Sequence, residues 1–408
     1  MSERIVRPGI ADILALTRAS EASYVDEAGY LAWAASGARR LTHDPLTGAN
    51  PRWLYEPAVV NLVASSEALG ASGWGANNTA VLADQAVAPD RGADADKVYR
   101  DGVGSGTDYH ARSAIIDPAA ASTRYTWSIF VKDDDTGLDW LFLDIWQNDG
   151  SGFNLVARQF FRMSTLALGA AGGTVDDTAI EAYPDGWRRV SLTATTSGTA
   201  FYAQGRVGFG DGDGDTNSSL TQNEGFFAWG AQFAAGGATS YARSAGSGFT
   251  RAADVEAGGA AAAALVNPLA GALRLEFVAG QAGTGDGRLV DIRADADNRF
   301  LDLSFASGLT VLVNAASVTQ ASYAGGTITP GATHRVAHAW SAAGGVETWL
   351  DGALIGSDAG VTLPVPTGFN LGSIVGGTSG GRLGVTRCEL LSARPTPAEL
   401  AAWTGGAA

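Results

Sequence analysis

The sequence predicts an all-β protein built from antiparallel sandwiches. Glycine occurs 55 times in 408 residues, which indicates many tight turns, while 46% of the residues are hydrophobic, enough for packed cores. Short segments in which apolar and polar side chains alternate recur along the chain, with Gly/Asp turns between them. A chain of this length is comfortable for two domains. We therefore expect two antiparallel β-sandwich domains preceded by an N-terminal arm.

Residues 1–70 show no strong hydrophobic period, and turn-forming residues interrupt them. This segment is predicted to be an extended arm. The first residues, MSERIVRPGIADIL, lack the long apolar core of a signal peptide, and no run approaches membrane-spanning length. We therefore expect synthesis in the cytoplasm.

Residues 71–254 are predicted to form the first sandwich. Its clearest strands are the alternating segments Tyr125–Lys132, Trp140–Trp146, Phe153–Phe161, Gly186–Thr193 and Phe201–Phe209. The last strand starts at Phe226, where Phe227, Trp229, Ala231 and Phe233 alternate with the residues between them. A Gly/Ser-rich run follows this strand, and the sandwich is predicted to end at the charged segment Arg251–Asp254.

Residues 255–265 are rich in alanine and glycine, so they are predicted to be a linker, with a short helix as the alternative. Residues 266–408 are predicted to form the second sandwich. Its predicted strands are Leu273–Val278, Arg288–Arg293, Phe300–Phe305, Leu309–Val313, Arg335–Trp340, Val346–Leu350 and Leu383–Leu391. Asp351-Gly352 predicts a tight hairpin turn, and Thr396 is the predicted N-cap of a closing helix.

The charge balance restricts the partners of this chain. Its formal net charge of −15 argues against nucleic acid and against an anionic membrane surface, since both demand a basic face. A strongly anionic glycan would need a local basic patch. The single cysteine, Cys388, cannot form an intrachain disulfide and is expected to be a small buried residue.

The candidate binding residues lie in two stripes. One is an aromatic and acidic stripe on Trp140–Trp146, and the other is a polar stripe formed by Tyr202, Gln204 and Arg206. Along Trp140–Trp146, the side chains of Trp140, Phe142, Asp144 and Trp146 share one face, while the aliphatic residues between them form the predicted core face. Sugars are recognised by flat apolar rings and planar hydrogen-bonding groups. The predicted carbohydrate site therefore consists of Trp140, Asp144, Trp146, Tyr202, Gln204 and Arg206. The alternative is that these aromatics fill a second buried face or a subunit contact.

The run GDGDGDTN at 210–217 is the best metal candidate. Asp211, Asp213, Asp215 and Asn217 alternate and offer oxygen ligands of the kind that Ca²⁺ takes. The run departs from an EF-hand loop, because Thr216 stands where the turn glycine belongs and no bidentate glutamate follows. Its alternative is a solvated hairpin loop of turn residues.

Motifs for catalysis are lacking in the sequence. It contains no Gly-x-Ser-x-Gly elbow, no phosphate-cradling loop and no His-Glu-x-x-His run. Glycoside hydrolysis needs only two carboxylates across a cleft, so a glycan-cleaving enzyme stays an alternative. The nearest pair, Asp139 and Asp144, lacks the close-spaced glutamates typical of sandwich glycanases. We therefore expect a protein that is not an enzyme.

Several segments resemble a known family. The run FFAWGAQFAAGGATSYARSAGSGFTRAAD at Phe226–Asp254 closely resembles the last strand and exit loop of jelly-roll carbohydrate-binding modules in the spike and fibre proteins of tailed phages and gene transfer agents. Leu16–Asp26, Gly37–Gly48 and Tyr55–Glu67 are similar in order and spacing to the segment that leads into that jelly roll. WLYEP at Trp53–Pro57 departs from the family's usual Gly-Leu-Leu-Ile-Glu run.

A second resemblance lies in the C-terminal sandwich. HRVAHAW followed by VETWLDGALIG is similar to concanavalin A-like, or laminin G-like, sandwiches. Together the resemblances imply a particle protein that attaches to the cell-surface, capsular polysaccharide of a host by non-catalytic binding. They also imply an arm that contacts other particle proteins, a place on the particle surface, and a homo-oligomer, often a trimer in such proteins. The alternatives are a structural particle component that binds protein neighbours and a polysaccharide depolymerase.

Overall fold

A computed structural model describes residues 14–101, 110–219, 221–282, 287–306, 308–374 and 381–406. The described chain is almost entirely β, which confirms the predicted fold class. Six short strands precede the first sandwich's long ones: β1 (Ala15–Thr17), β2 (Ala22–Val25), β3 (Leu31–Ala34), β4 (Leu41–Thr42), β5 (Arg52–Tyr55) and β6 (Val59–Asn61).

The middle of the chain forms the first sandwich. Its strands are β7 (Trp74–Asn77), β8 (Thr79–Ala86), β9 (Ala95–Arg100), β10 (His110–Ile116), β11 (Arg124–Asp133), β12 (Trp140–Asn148), β13 (Phe153–Arg162), β14 (Ala167–Gly173), β15 (Asp177–Ala182), β16 (Arg188–Thr195), β17 (Tyr202–Gly210), β18 (Gly225–Ala235) and β19 (Phe249–Arg251). Two six-stranded antiparallel sheets, β14-β13-β12-β17-β10-β7 and β15-β16-β11-β18-β9-β8, pack face to face. Leu141 and Ile145 of one sheet meet Trp127 and Phe233 of the other in the core, as the alternation predicts.

The last long strand departs from strict alternation at one residue. Gly230 has a φ of 63°, and the pairing of β18 with β11 shifts register there. Because such a bulge flips the side chains that follow it, Phe226 and Phe233 both face the core, while Trp229 faces outward. The predicted set of Phe227, Trp229 and Phe233 on one face is therefore split by the bulge.

The second sandwich is built from two seven-stranded sheets. Its strands and helices are β20 (Val255–Ala257), α1 (Gly259–Ala263), β21 (Ala270–Ala282), β22 (Gly287–Arg293), β23 (Arg299–Phe305), β24 (Leu309–Ala315), β25 (Val318–Gly325), β26 (Thr333–Ser341), β27 (Gly345–Leu350), β28 (Ala353–Asp358), β29 (Gly368–Leu371), β30 (Gly381–Leu391) and α2 (Pro397–Thr404). The strand orders are β1-β20-β29-β22-β23-β24-β25 and β28-β27-β26-β21-β30-β5-β4. Leu275, Phe277 and Trp340 pack against Ile292 and Leu301 in its core.

The predicted N-terminal arm belongs to the second sandwich. β1 pairs with β20, and β5 pairs with β30 and β4, so these three short strands complete the edges of both sheets. Tyr55 is buried in the core of this sandwich. The first sandwich is therefore inserted between β5 and β20. Over its described residues, the segment 1–70, which was predicted to be an extended arm, instead forms short sheet strands.

The predicted 255–265 linker is also part of the second sandwich. Val255–Ala257 is a sheet strand, and the alanines after it form the short helix α1, which was the alternative in the sequence. Ala262 and Val266 are buried in the core. Alanine side chains are small enough to let α1 lie against the sheet. The segment is therefore packed against the second sandwich, whereas a linker would be exposed.

A fully buried ionic cluster joins the two crossings between the sandwiches. Glu56 follows β5 and Asp254 precedes β20, and the Asp254 N–H donates to the Glu56 carbonyl oxygen at 2.9 Å. The Arg18 guanidinium pairs with Asp254 at 2.8 Å, and that of Arg40 pairs with Glu56 at 2.8 Å and also with Asp254. Arg251 lies 3.5 Å from the Glu56 carboxylate. We call these five residues the crossing cluster; their side chains have no solvent exposure.

The crossing cluster keeps the Glu56 carboxylate ionised. Burial alone would raise the pKa of Glu56, but the guanidinium groups of Arg251, Arg40 and Arg382 outweigh burial and hold that pKa well below its usual range. Burial lowers the pKa of Arg251 to about 10, so its guanidinium remains charged at neutral pH. Removing one partner from such a group leaves a buried charge uncompensated, which makes the cluster sensitive to single substitutions.

The hairpin of β2 and β3 covers one outer face of the first sandwich. Val25 and Leu31 of the hairpin pack against Phe130 and Trp229, which project outward from the β11-β18 sheet, and against Trp187, which precedes β16. All three rings are almost fully buried. This face is thereby closed by the N-terminal segment. The outer face of the other sheet, which carries β12 and β17, keeps half-exposed aromatic side chains.

Two local predictions in the second sandwich are confirmed. Asp351 and Gly352 both have positive φ, 48° and 85°, as a two-residue hairpin turn requires. Thr396 caps α2 by accepting from the Glu399 N–H, and the Glu399 carboxylate accepts from the Thr396 N–H. Among the described residues, no helix is both long and apolar enough to cross a membrane.

Glu67 predicts a pH dependence of stability. Burial, with the carboxylates of Asp94 and Asp90, raises the pKa of Glu67 to about 7, although the Tyr241 hydroxyl donates to it at 3.0 Å. The folded state therefore binds a proton between about pH 4.5 and pH 7 that the unfolded state has lost, so this group's contribution to stability falls as pH rises through that window. We expect Glu67→Gln to raise the urea midpoint relative to wild type at pH 8 and to leave it nearly unchanged at pH 4.5. The exposed Glu27→Gln is the control, and an equal shift at both pH values would contradict the assignment.

Candidate carbohydrate-binding face

The structure brings the predicted site residues onto one face of one sheet. β12 and β17 pair antiparallel, with Asp144 opposite Arg206 and Trp146 opposite Gln204. Tyr202 lies two residues further along β17, and Trp140 lies at the opposite end of β12. Five of the six side chains are half-buried, and Asp144 is fully buried. The juxtaposition of the two predicted stripes is therefore a feature of the fold.

One end of this face is an exposed aromatic platform. The rings of Tyr202 and Phe153 meet edge to face at 5.4 Å, and Phe153 is 49% exposed. Ile115 lies opposite Gln204 on the next strand, β10, and is 37% exposed. We call this end the Trp146 platform; it comprises Ile115, Trp146, Phe153, Tyr202, Gln204 and Arg206.

Phe153 and Ile115 are the residues that the sequence analysis missed. A register shift in β13, between the partners of Ile145 and Trp146, breaks the alternation of that strand. Counting from Arg158 by twos would place Phe153 on the core face, whereas the bulge turns it to the outer side. The aromatic and polar residues around Asn148 are the sequence signal that could have indicated this change of face.

The platform side chains are held by one another. The Arg206 guanidinium lies over the Trp146 ring, 4.5 Å from its centroid, and donates through Nε and Nη2 to the Gln204 side-chain oxygen at 2.9 and 2.6 Å. The Gln204 amide donates to the Tyr202 hydroxyl at 3.1 Å. Fixed rotamers lose less entropy when a ligand binds, so this chain of contacts preorganises the face.

Asp144 is a structural centre of the face. Its carboxylate accepts from Nε and Nη2 of Arg158 at 2.6 and 2.7 Å, and from the indole N–H of Trp146 at 3.1 Å. This buried acid therefore orients Trp146 and Arg158 and has little room left to contact a ligand itself. Its predicted role as a direct sugar contact stays a prediction.

The Trp140 end of the face is more closed. Trp140 packs against Phe142, Phe160 and Ala111, and these three residues are almost fully buried. A Cβ placed on Gly169 would meet both the Trp140 ring and the Asp213 carboxylate, so the acidic loop lies against this end. The open part of the face is the Trp146 platform.

The acidic loop uses its carboxylates to fasten backbone. Asp211 accepts from the Ser219 N–H at 2.8 Å, Asp213 accepts from the Ala170 N–H, and Asp215 accepts from the Asn217 N–H at 2.9 Å. Within the described ranges, no group of three or more His, Cys, Asp or Glu side chains is arranged to hold a metal ion. Calcium binding by Asp211, Asp213, Asp215 and Asn217 stays a prediction.

No protein-family model and no curated protein matches this chain. Among solved structures, it is similar to the CBM40 module of the Ruminococcus gnavus IT-sialidase, with 14% identity over 36% of this chain and 88% of that one and a TM-score of 0.30. It is similar to the CBM22-1 xylan-binding domain of Paenibacillus barcinonensis Xyn10C, with 13% identity over 43% of this chain and 92% of that one and a TM-score of 0.26. The Trypanosoma rangeli sialidase matches at 12% identity over 81% of this chain and 62% of that one, with a TM-score of 0.30.

Proposed function

We propose that this chain binds carbohydrate without cleaving it, through the Trp146 platform. The observation that carries the proposal is the convergence of half-exposed aromatic rings with an amide and a guanidinium on two adjacent strands. Rings supply flat apolar surface for the C–H side of a pyranose, and planar polar groups supply hydrogen bonds to its hydroxyls. The comparable aromatics of the other sheet are covered by the β2–β3 hairpin, so they offer no such surface.

The state of Asp144 favours binding over hydrolysis. A glycosidase needs one carboxyl group that can give up a proton and a second that can attack or activate water. Asp144 is engaged by two guanidinium nitrogens and an indole N–H, and Asp139 is paired with Arg162 at 2.7 Å. Two carboxylates held in ion pairs are poorly suited to these roles, so a depolymerase is the weaker alternative.

The biological role that we propose for this binding is attachment of a phage or gene-transfer-agent particle to the polysaccharide of a host surface. The support is the resemblance of Leu16–Asp26, Gly37–Gly48, Tyr55–Glu67 and Phe226–Asp254 to the spike and fibre proteins of such particles. Weak single sites become effective adhesion when many copies act together, which fits a particle protein that forms oligomers. The proposed partners are the host polysaccharide and neighbouring particle proteins.

Substitution of the platform aromatics tests the proposed function. We expect Trp146→Ala and Tyr202→Ala each to weaken polysaccharide binding at least about tenfold, about 1.4 kcal/mol, because each removes a central ring. Binding is measured by affinity electrophoresis and calorimetry against a panel of purified capsular and plant polysaccharides. Tyr30→Ala is the matched control, since Tyr30 is a half-buried surface ring with the Arg91 guanidinium 4.2 Å from its centroid on a different face.

The outcome separates the candidate functions. Loss of binding in the two platform variants, with unchanged melting temperature and intact binding by Tyr30→Ala, supports the carbohydrate site. Failure of the wild-type protein to bind any polysaccharide, together with dissociation of an oligomer by Trp146→Ala, would instead favour a structural particle component. Release of reducing ends from a bound polysaccharide would identify a depolymerase.

A further inference from the structure

Two arginines of β13 that lie on the same outer face as Trp146 are paired inside that face. The Arg158 guanidinium donates two hydrogen bonds to the Asp144 carboxylate, at 2.6 and 2.7 Å. The Arg162 guanidinium lies 2.7 Å from the Asp139 carboxylate. Each of these positive charges therefore has a carboxylate of the protein itself as its partner, and neither needs a charge from a ligand.

Arg206 is likewise engaged within the Trp146 platform. Its Nε and Nη2 atoms donate to the Gln204 side-chain oxygen at 2.9 and 2.6 Å, and its guanidinium carbon lies 4.5 Å from the Trp146 ring centroid. It also lies opposite Asp144 in the pairing of β12 with β17. The Nε–Nη2 edge of a guanidinium can bind a carboxylate by two parallel hydrogen bonds, so a ligand carboxylate would have to displace Gln204 to use it.

Carboxylates flank this face at both ends. Asp149 lies in the turn between β12 and β13, beside the Phe153 end of the platform. The Ser151 hydroxyl donates to Asp149 at 2.6 Å and lowers the pKa of this carboxyl group. Asp213 lies against the other end, where Trp140 is located. In a chain of net charge −15, these carboxylates present negative charge to any polyanion that approaches the face.

The most exposed groups of the platform are uncharged. Phe153 and Ile115 are the two exposed apolar side chains, and the Tyr202 ring is half-buried beside them. The Gln204 amide has two hydrogens and donates to the Tyr202 hydroxyl at 3.1 Å. The second amide hydrogen and the Tyr202 hydroxyl suit the hydroxyl groups of a sugar, which both donate and accept.

We propose that the glycan bound by the Trp146 platform is neutral, and that the flanking carboxylates of Asp149 and Asp213 disfavour polyanionic glycans. This inference rests on the proposed function and names its ligand class. A neutral pyranose covers the rings with its C–H face and leaves the ion pairs of the face intact. A carboxylated sugar would lose hydration on the same rings and would meet like charges at both ends.

Binding to polymers that differ only in their carboxyl groups tests the inference. The probes are β-glucan and galactomannan, each compared with its C6-oxidised form, and polygalacturonate and alginate, each compared with its carboxyl-reduced form. We expect the full-length protein to bind at least one neutral polymer at least about tenfold more tightly than its carboxylated counterpart in calorimetry, because an unpaired charge is costly to desolvate. Raising NaCl from about 50 to about 500 mM should change the affinity for the neutral form less than about twofold, since contacts between uncharged groups are not screened.

Asp149→Asn tests the role of the flanking charge. Asparagine keeps an oxygen that can accept from the Ser151 N–H but removes the negative charge. We expect this variant to bind the carboxylated polymer about two- to threefold more tightly than wild type at low salt, the size of an exposed charge interaction, with unchanged affinity for the neutral form. Glu27→Gln is the matched control, because Glu27 is an exposed acid in the β2–β3 hairpin on the other sheet and should change neither affinity.

The outcomes separate this inference from the proposed function. Equal affinity for the two forms, or tighter binding of the carboxylated form that weakens with salt, overturns the inference and leaves the proposed function standing. Failure to bind any of the polymers counts against both. A neutral preference that Trp146→Ala retains at wild-type affinity places the recognition elsewhere and overturns the inference, and an Asp149→Asn variant indistinguishable from wild type overturns the role of the flanking carboxylate.

Discussion

Replacing Asp254 by asparagine is expected to lower the free energy of unfolding of the second sandwich by about 3–5 kcal/mol. Asp254 is fully buried and pairs with Arg18 at 2.8 Å and with Arg40, and its Oδ2 atom also accepts from the Glu56 N–H at 2.9 Å. Asparagine keeps the shape but removes the charge, so two buried guanidinium groups lose a counter-ion. The buried position leaves water no access to compensate them.

The measurement is a urea titration followed by circular dichroism and by tryptophan fluorescence at pH 7. Glu21→Gln is the matched control, because the Glu21–Arg243 pair is at least one-third exposed on both sides and surface pairs contribute about 0–1 kcal/mol. A decrease in the free energy of unfolding below about 1 kcal/mol for Asp254→Asn would show that the crossing cluster relaxes or admits water. It would contradict the expectation that these buried ion pairs stabilise the second sandwich.

The long strands could be predicted from the sequence because burial on one face imposes a two-residue period. The observed β12, Trp140–Asn148, extends the predicted segment by two residues, and β22, Gly287–Arg293, starts one residue earlier than predicted. The bulges could not be predicted in this way, since one inserted residue flips every following side chain. Trp229 and Phe153 were misplaced or missed for that reason.

The place of the N-terminal segment was the largest difference between prediction and structure. β1, β4 and β5 span two to four residues, too few to show a period. The partners of β1 and β5 are distant in the sequence, with Ala15 opposite Ala257 and Tyr55 opposite Leu383, and no local signal specifies such pairings. The segment also carries three charged side chains, Arg18, Arg40 and Glu56, that are buried because ion pairs among them and with Asp254 neutralise their charges.

The candidate site shows the same division between local and long-range information. The side-chain chemistry and the face of Trp146 were predictable from the alternation of β12. That Arg206 would lie opposite Asp144 and stack on Trp146 depends on the pairing of β12 with β17 and is a property of the fold. The sequence therefore predicted which residues to consider, and the sheet register determines which charges meet.

The resembling segments and the crossing cluster coincide. Leu16–Asp26, Gly37–Gly48 and Tyr55–Glu67 contain Arg18, Arg40 and Glu56, and Phe226–Asp254 ends with Arg251 and Asp254. These distant parts of the chain meet at the two crossings between the sandwiches. The cluster therefore ties together both connections of the inserted sandwich. The residues of the Trp146 platform lie outside these segments, so the resemblance carries no information about which ligand the platform binds.

Removing residues 1–57 is expected to unfold the second sandwich while the first keeps its core. The truncated chain lacks β1, β4 and β5, and with them the edge of each sheet and the buried Tyr55 ring. It also lacks Arg18, Arg40 and Glu56, so Asp254 and Arg251 lose their buried partners. The first sandwich retains a core contributed by residues 63–233, independent of the removed segment.

Limited proteolysis followed by mass spectrometry distinguishes the two sandwiches in one sample. We expect rapid cleavage within residues 266–408 of the truncated chain, at protease concentrations that leave the full-length protein intact, because unfolding exposes the backbone of that sandwich. Protection of residues 62–244 in the same digest serves as the internal control, although loss of the β2–β3 hairpin exposes Phe130 and Trp229 and should promote self-association. Full protection of residues 266–408, with an unchanged melting temperature, would mean that the N-terminal segment is a dispensable arm. The described pairing of β5 with β30 argues against that result, since it places Trp53 and Tyr55 in the sheet whose core they close.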